Sequence, residues 1–445
     1  MRIRKVISML MIVTVLVTTG CGTTGTEETG NSVSSETEEQ VSMLKTEEQA
    51  GVQKTEEAGV QKTEEKVAVQ KTDEQIDGQK TVTEKEDDNL TDVNKAEEQV
   101  DIENISSTEF APLMKMGWNL GNTLDANAVG GLESENCWGQ PTTTKELIRF
   151  VKSSGFTSIR IPVSWGKHTD SEYNIDPEWM ARVKEVVDYA YDEGMFVIIN
   201  SHHDNDYYYP SEENSDNAKK YISAIWSQIA EEFKDYDNHL VFESMNEPRL
   251  AGTDIEWWFN AGDPKGKAAI VKICELNQIF VDTVRASGGN NANRFLMVPS
   301  YAASQDFALN SSFVMPEDPS GRVMLSVHAY TPYDFAGKAD GYKEWDGSKT
   351  TEFIFMGKLM TKFITEGYGV VIGEFGATNK DNQPDRERWA RGYTMKAASL
   401  GMSYFIWDNG AVGVGEENFG LIDRRNLAVY FPNLLEAYKC GYPEP

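Results

Sequence analysis

Two carboxylates carry the chemistry this sequence advertises. Glu247 lies in Asn246-Glu247-Pro248, and Glu374 lies in Ile372-Gly373-Glu374-Phe375-Gly376, each at the end of a short apolar run. Paired carboxylates facing one another across a cleft suit glycoside cleavage, in which one protonates the leaving oxygen and the other attacks the anomeric carbon. Asn119, Asn122, Arg160, His202, His203, His328, Tyr330 and Trp407 also terminate or closely follow apolar runs. Any one of them alone reads as a polar cap facing water. Their joint placement at the ends of apolar segments is hard to explain by packing.

The elements that must position these groups alternate. Apolar β-type runs at 114–120, 158–162, 196–200, 240–245, 295–298, 323–327, 370–373 and 403–407 are separated by amphipathic stretches such as 178–193 and 218–233. Gly155, Gly194, Gly369 and Gly401 sit just before strands, where a helix stop belongs. Eight such pairs predict one α/β domain over 108–445, a (β/α)8 TIM barrel whose chemistry gathers at the C-terminal strand ends. A doubly wound open sheet is the alternative, but no G-x-G-x-x-G opens a helix after the first strand.

Seven segments in this order resemble glycoside hydrolase family 5, and within it the bacterial endoglucanases of subfamily four. They are 117–126 (GWNLGNTLDA), 160–163 (RIPV), 199–204 (INSHHD), 242–249 (FESMNEPR), 326–330 (SVHAY), 373–377 (GEFGA) and 407–410 (WDNG). The resemblance implies that Glu247 is the general acid/base and Glu374 the nucleophile of a retaining double displacement. Arg160 and Tyr330 are then expected to hold Glu374 ionised and oriented, and Asn246 to hydrogen-bond the 2-hydroxyl of the reacting sugar. Glu247 is expected to carry a raised pKa. The resemblance also implies that His202 and His328 are rim histidines and Trp407 a sugar-stacking platform. His203, Asp204, Asn122, Asn127, Trp138 and Asn409 match loops bordering the sugars. Gln140-Pro141 stands where the family usually has Asn before the proline. Tyr207 to Tyr209 and Trp257-Trp258-Phe259 read equally as cleft lining or as loop packing.

No cofactor and no metal is expected. Asp204-Asn205-Asp206 lacks the full calcium-loop spacing, and the adjacent His202 and His203 point apart if they lie in a strand. The chain has 42 Lys+Arg against 71 Asp+Glu, a net charge of -29, which argues against nucleic acid as a partner.

The N-terminus is a different material. Arg2, Arg4 and Lys5 precede an apolar run from Ile7 to Val17, and Gly20-Cys21 follows. Residues 1–21 read as a secretory leader with a lipobox-like end, Cys21 becoming the lipidated terminus. Membrane contact is expected only through that anchor, on the outside of a bacterial cell. Residues 22–107 hold 23 acidic and 8 basic side chains and no aromatic, with KTEE-like repeats from Lys45, Lys54, Lys62 and Lys71. Such a segment buries too little apolar surface to offset its ordering entropy and reads as a disordered acidic stalk. Cys137, Cys274 and Cys440 are expected to be packing residues, or one pair plus a free thiol.

The expected activity is endo-β-1,4-glucan hydrolysis on cellulose-like and mixed-linkage glucans, with xyloglucan a further candidate and a monomer sufficient. A mannanase or xylanase using the same two Glu residues stays open. So does a surface lipoprotein that only binds polysaccharide.

Overall fold

The computed structural model describes residues 101–443. The leader, Cys21 and the acidic repeats lie outside them. Eight parallel strands close into a barrel in chain order: β1 (Met116–Asn119), β2 (Ser158–Ile161), β3 (Phe196–Asn200), β4 (Leu240–Glu243), β5 (Leu296–Ser304), β6 (Val323–His328), β7 (Gly369–Phe375) and β8 (Ser403–Ile406). Helices follow the strands on the outside, among them Lys145–Ser153, Pro177–Tyr191, Ser215–Glu232, Pro264–Ala286 and Gln383–Ser399. The expected TIM barrel is the observed fold.

The period-2 alternation of each strand divides its side chains between two environments. Val197 and Ile199, Leu240 and Phe242, Leu325 and Val327, Val370 and Ile372 point outward into the main core beneath the helices. Ile198, Val241, Met297, Met324, Val371 and Phe405 point inward and fill the lower barrel with an apolar layer. One inward step further toward the C-terminal ends, the residues become Asn119, Arg160, Asn200, Glu243, Ser326 and His328, all buried. The barrel is apolar at its base and polar at its mouth.

The base is closed by the chain just before β1. Ser106 and Glu109 form a reciprocal capping box that starts the helical turn Ser107–Phe110. Phe110 stacks on Phe295 with centroids 3.8 Å apart and meets the edge of Phe196 at 5.4 Å. Ser107 Oγ donates to the Gly367 carbonyl at 3.0 Å, and Asn238 Nδ2 donates to Glu103 at 2.9 Å. Packed chain therefore begins ahead of residue 108, because these polar side chains find partners on the barrel.

Two details of the strands differ from expectation, and one alternative for the cysteines falls away. Residues 111–114 form a 3-10 turn and Lys115 reverses the chain at φ 50°, so β1 starts two residues later. β5 continues past Pro299 to Ser304, with a register shift against β6 and left-handed Ala302 and Ala303. Cys137, Cys274 and Cys440 are half-buried free thiols with no pair among them. Among the described residues no helix is long and apolar enough to cross a membrane.

Candidate active site

Arg160 is the centre of the polar layer. It points inward from β2, is fully buried, and has five N–H donors in a fixed fork. Nε donates to Glu243 Oε2 at 2.7 Å, Nη1 to Glu374 Oε1 at 2.7 Å and to Asn119 Oδ1 at 2.9 Å, and Nη2 to Asn246 Oδ1 at 2.8 Å. Burial alone would pull the guanidinium down, but Glu243 and Glu374 outweigh it and hold its pKa above the ordinary value. Glu243 is fixed in turn by Ser326 Oγ at 2.5 Å and Asn200 Nδ2 at 3.0 Å.

Glu374 lies within β7, opposite His328 of β6 in the strand register. Its second oxygen accepts the Tyr330 hydroxyl at 2.9 Å, so both carboxylate oxygens are held. Gly373 just before it is needed small: a Cβ there would stand 3.0 Å from Ser326 Oγ and 3.3 Å from His328 Nε2.

Glu247 sits on the loop after β4, four residues past the strand end. Its Oε1 is 2.8 Å from His328 Nδ1, and Arg249 Nη1 is 3.7 Å from its Oε2. The tautomer of His328 follows from its other side, where Nε2 lies 3.5 Å from Arg160 Nη2. An arginine only donates, so Nε2 accepts and the Nδ1–H points at Glu247. The same logic orients Asn246: Oδ1 faces Arg160, which leaves Nδ2 without a protein acceptor among the described residues. One oxygen of Glu247, a ring nitrogen of His328 and one oxygen of Glu374 all lie within 4.8 Å of one another.

The proton distribution reverses one expectation. Burial pushes Glu247 up, but the His328 hydrogen bond and the charges of His328, Arg249 and His203 outweigh it, and its pKa lies below the usual carboxylate value. Burial raises Glu374 despite His328 and Arg160. His328 is pulled down by burial but raised overall by Glu374 and Glu247. The neighbours of Glu247 therefore favour its ionised form, the reverse of the raised pKa expected for it.

The remaining expected residues divide. Trp407 is nearly buried and lies parallel to His202 at 5.8 Å, with Gly121 so close beneath that a Cβ would meet its ring at 2.8 Å. Trp138 is exposed and meets His203 edge-on at 5.3 Å, and Asn127 donates to the His203 carbonyl at 3.0 Å. These residues and the left-handed Asn122 gather on the β1, β3 and β8 side of the mouth. Asn409 is spent on its own loop, donating to the Glu417 carbonyl and accepting from Ala411 and Phe419. Gln140, the variant position, reaches across to donate to the Asn409 carbonyl at 3.0 Å. Tyr207 stacks on Tyr221 at 4.9 Å and covers Gly166, so its ring serves loop packing instead of the cleft. Asp204 accepts from Ser201 and from the Trp165 and Gly166 amides, which commits it to the β2 loop.

His202 and His203 do not point apart, because both lie beyond the end of β3. Their rings meet at 4.5 Å and 88°, and with Asp125 they bring three possible cation ligands together. Burial first, then neighbouring charge, pulls His202 well below its ordinary pKa; burial pulls His203 down to about 4 against the opposing charge of Glu247, and lifts Asp125 to about 6. The three groups that most support the centre, Glu243, Ser326 and Arg249, had no role in the sequence reading. Glu243 carried a signal all the same: a lone charge inside an apolar strand requires a buried partner.

Comparison with known proteins agrees with this geometry. The family model for cellulase (glycosyl hydrolase family 5) matches residues 123–413. Endoglucanase A of Ruminococcus albus is 43% identical over 362 residues, spanning 80% of this chain and 97% of that protein. A mutant glycoside hydrolase 5 lichenase from Caldicellulosiruptor sp. F32, in complex with cellotetraose, superposes with a TM-score of 0.72 at 43% identity, over 75% of this chain and 95% of that one. A GH5-4 broad specificity endoglucanase from Ruminococcus champanellensis with bound cellotriose gives 0.72 at 42% identity, over 75% and 98%. The chain belongs to glycoside hydrolase family 5 and is a glycoside hydrolase of the endo-1,4-β-glucanase class.

Proposed function

We propose that this protein is a retaining endo-β-1,4-glucanase acting on cellulose-like and mixed-linkage β-glucans, and on xyloglucan, with Glu374 as nucleophile and Glu247 as acid/base. The observation that carries this reading is the approach of one oxygen of Glu247 and one oxygen of Glu374 within 4.8 Å. Retaining pairs stand about 5–5.5 Å apart, whereas inverting pairs need about 6.5–9.5 Å to admit a water.

In the first step the Glu374 oxygen released by Tyr330 attacks the anomeric carbon, and the glycosidic C–O bond breaks as Glu247 gives its proton to the leaving oxygen. Arg160 stays on the other oxygen of Glu374 throughout. Asn246 Nδ2 is free to donate to the sugar 2-hydroxyl, a contact that strengthens at the transition state. A neutral sugar over the site adds to the burial that already pushes Glu247 up, which favours its uptake of a proton from solvent before the bond breaks. In the second step Glu247 takes a proton from water, the hydroxide oxygen joins the anomeric carbon, and Glu374 leaves with its charge restored. Trp407 and Trp138 offer faces to the sugars on the non-leaving side.

The broad specificity of the champanellensis relative and the lichenase bound to cellotetraose support the substrate range. Hydrolysis of barley β-glucan, carboxymethylcellulose, xyloglucan, xylan and mannan, with product anomers followed by NMR, tests it. Retained configuration on the first three is expected; activity confined to mannan, or an inverted product, rejects the reading. We further propose export and lipid tethering at Cys21, from the basic leader and apolar run, checked by mass spectrometry of the mature N-terminus from the membrane fraction.

A further inference from the structure

Every aromatic so far placed near sugar lies on one side of the mouth. The other side, where Glu247 and His328 stand, has a tryptophan of its own on the loop after β4. Phe259 anchors that loop, stacked on Phe307 at 4.1 Å and edge-on to Tyr301 at 5.0 Å. Two residues earlier Trp257 stays 56% exposed. It is not loose. The Arg249 guanidinium carbon stands over its ring, 3.9 Å from the centroid.

Arg249 is itself built in. Nε donates to Glu256 Oε1 at 3.1 Å, and Glu256 Oε2 accepts the Gly252 amide at 2.9 Å. Nη1 donates to the Glu247 carbonyl at 3.0 Å and stands 3.7 Å from the Glu247 carboxylate. A large aromatic supported by a cation on one face and open to water on the other is an unusual use of exposed apolar area, and its open face suits the C–H side of a pyranose.

We infer that Trp257 is the platform for the glucose unit on the leaving-group side of the cleft, and that Arg249 joins that platform to Glu247 as one mechanical and electrostatic unit. The inference rests on the assignment of Glu247 as acid/base. A sugar pressed onto Trp257 loads Arg249, and Arg249 fixes the backbone and charge of the residue that protonates that sugar's oxygen. Substrates that extend past the cleaved bond gain in kcat as well as in KM.

The test compares cellopentaose with dinitrophenyl cellobioside, whose leaving group carries no sugar and needs no proton. Trp257→Ala is expected to lower kcat/KM on cellopentaose about tenfold more than on the aryl substrate, the worth of one lost apolar contact. Arg249→Lys, which keeps the charge without the guanidinium, is expected to lose part of the same ratio. Trp258→Ala, 63% exposed with no cation over its ring among the described residues, serves as the control and keeps the wild-type ratio. Equal losses on both substrates, no loss, or an equal effect of the two tryptophans overturns the platform. Glu247→Ala separates the underlying assignment: if Glu247 is the acid, this variant still releases a burst of dinitrophenol. If the burst is absent, the acid/base reading and the Arg249 link fall, whatever the Trp257 ratio.

Discussion

Arg160 and Glu243 form an ion pair with both side chains wholly out of water, Nε to Oε2 at 2.7 Å. Neither group touches solvent, yet the same guanidinium reaches Glu374. The pair therefore aims the fork at the reacting carboxylate, and the stability of the barrel mouth and its chemistry hang on one contact.

Glu243→Gln keeps the volume and one acceptor but removes the charge. Breaking a buried pair costs about 3 kcal/mol, so a lower Tm is expected. Loss of aim should also cut kcat by about 10- to 100-fold, as for other residues that act by orienting a ligand group. KM should change much less. A drop in Tm with kcat intact would leave Glu243 a structural residue only.

Glu374→Gln removes the attacking charge while Arg160 and Tyr330 keep partners of the same shape. Turnover on carboxymethylcellulose is expected to fall on the order of ten-thousand-fold, with cellotetraose binding by calorimetry kept within about threefold, since ground-state contacts persist. Near-full turnover in this variant contradicts the double displacement.

His328→Phe tests where the proton sits. Burial raises Glu247, and His328 is the main group holding it down. Without His328 the Glu247 pKa rises, so a general acid there stays protonated to higher pH. The alkaline limb of the kcat/KM profile is expected to move up as kcat falls. A downward move assigns that limb to another group.

His168 lies outside the site and gives the fold a pH limit. Its ring is buried, stacked on Trp179 at 3.7 Å, with neither nitrogen hydrogen-bonded among the described residues. Burial holds its pKa down to about 4, against 6.5 for the ordinary side chain. A depressed folded-state pKa means the stabilising contribution is present above pH 6.5 and is lost as pH falls toward 4. His168→Phe keeps the stack and removes the titration. Its stability should fall less between pH 7 and 4 than the wild type's, by on the order of 1 to 2 kcal/mol. Parallel denaturation curves for the two proteins across that range count against this account.

The barrel was legible because its outward strand faces are continuously apolar, and each of the eight expected runs overlaps one strand of the barrel, with β1 and β5 differing at their ends. Glu247, Glu374, Arg160 and Tyr330 converge because the residues just past those runs must line one rim. Glu243 was hidden inside an apolar run, where its inward direction depends on knowing the strand phase. Arg249 and Trp257 lie on a loop whose path no periodicity records. The end of β5 was missed because Pro299 reads as a stop, while the structure carries the strand through a register shift. Tyr207 was drawn into packing by Tyr221, a residue fourteen positions away on the next helix. The pKa of Glu247 depends on distances to His328 and Arg249 that spacing does not encode.

The polar layer at the top of the barrel has an odd charge parity. One guanidinium, Arg160, is shared by two carboxylates, Glu243 and Glu374, so the floor under the reacting sugar is left with one surplus negative charge. An anomeric carbon on its way to a cation meets that surplus; once Glu374 is esterified, the floor is neutral. The cleft thus alternates between an anionic and an uncharged floor within each turnover. Basic, positively charged sugar mimics should discriminate between the two forms, binding the free enzyme and ignoring the glycosylated one.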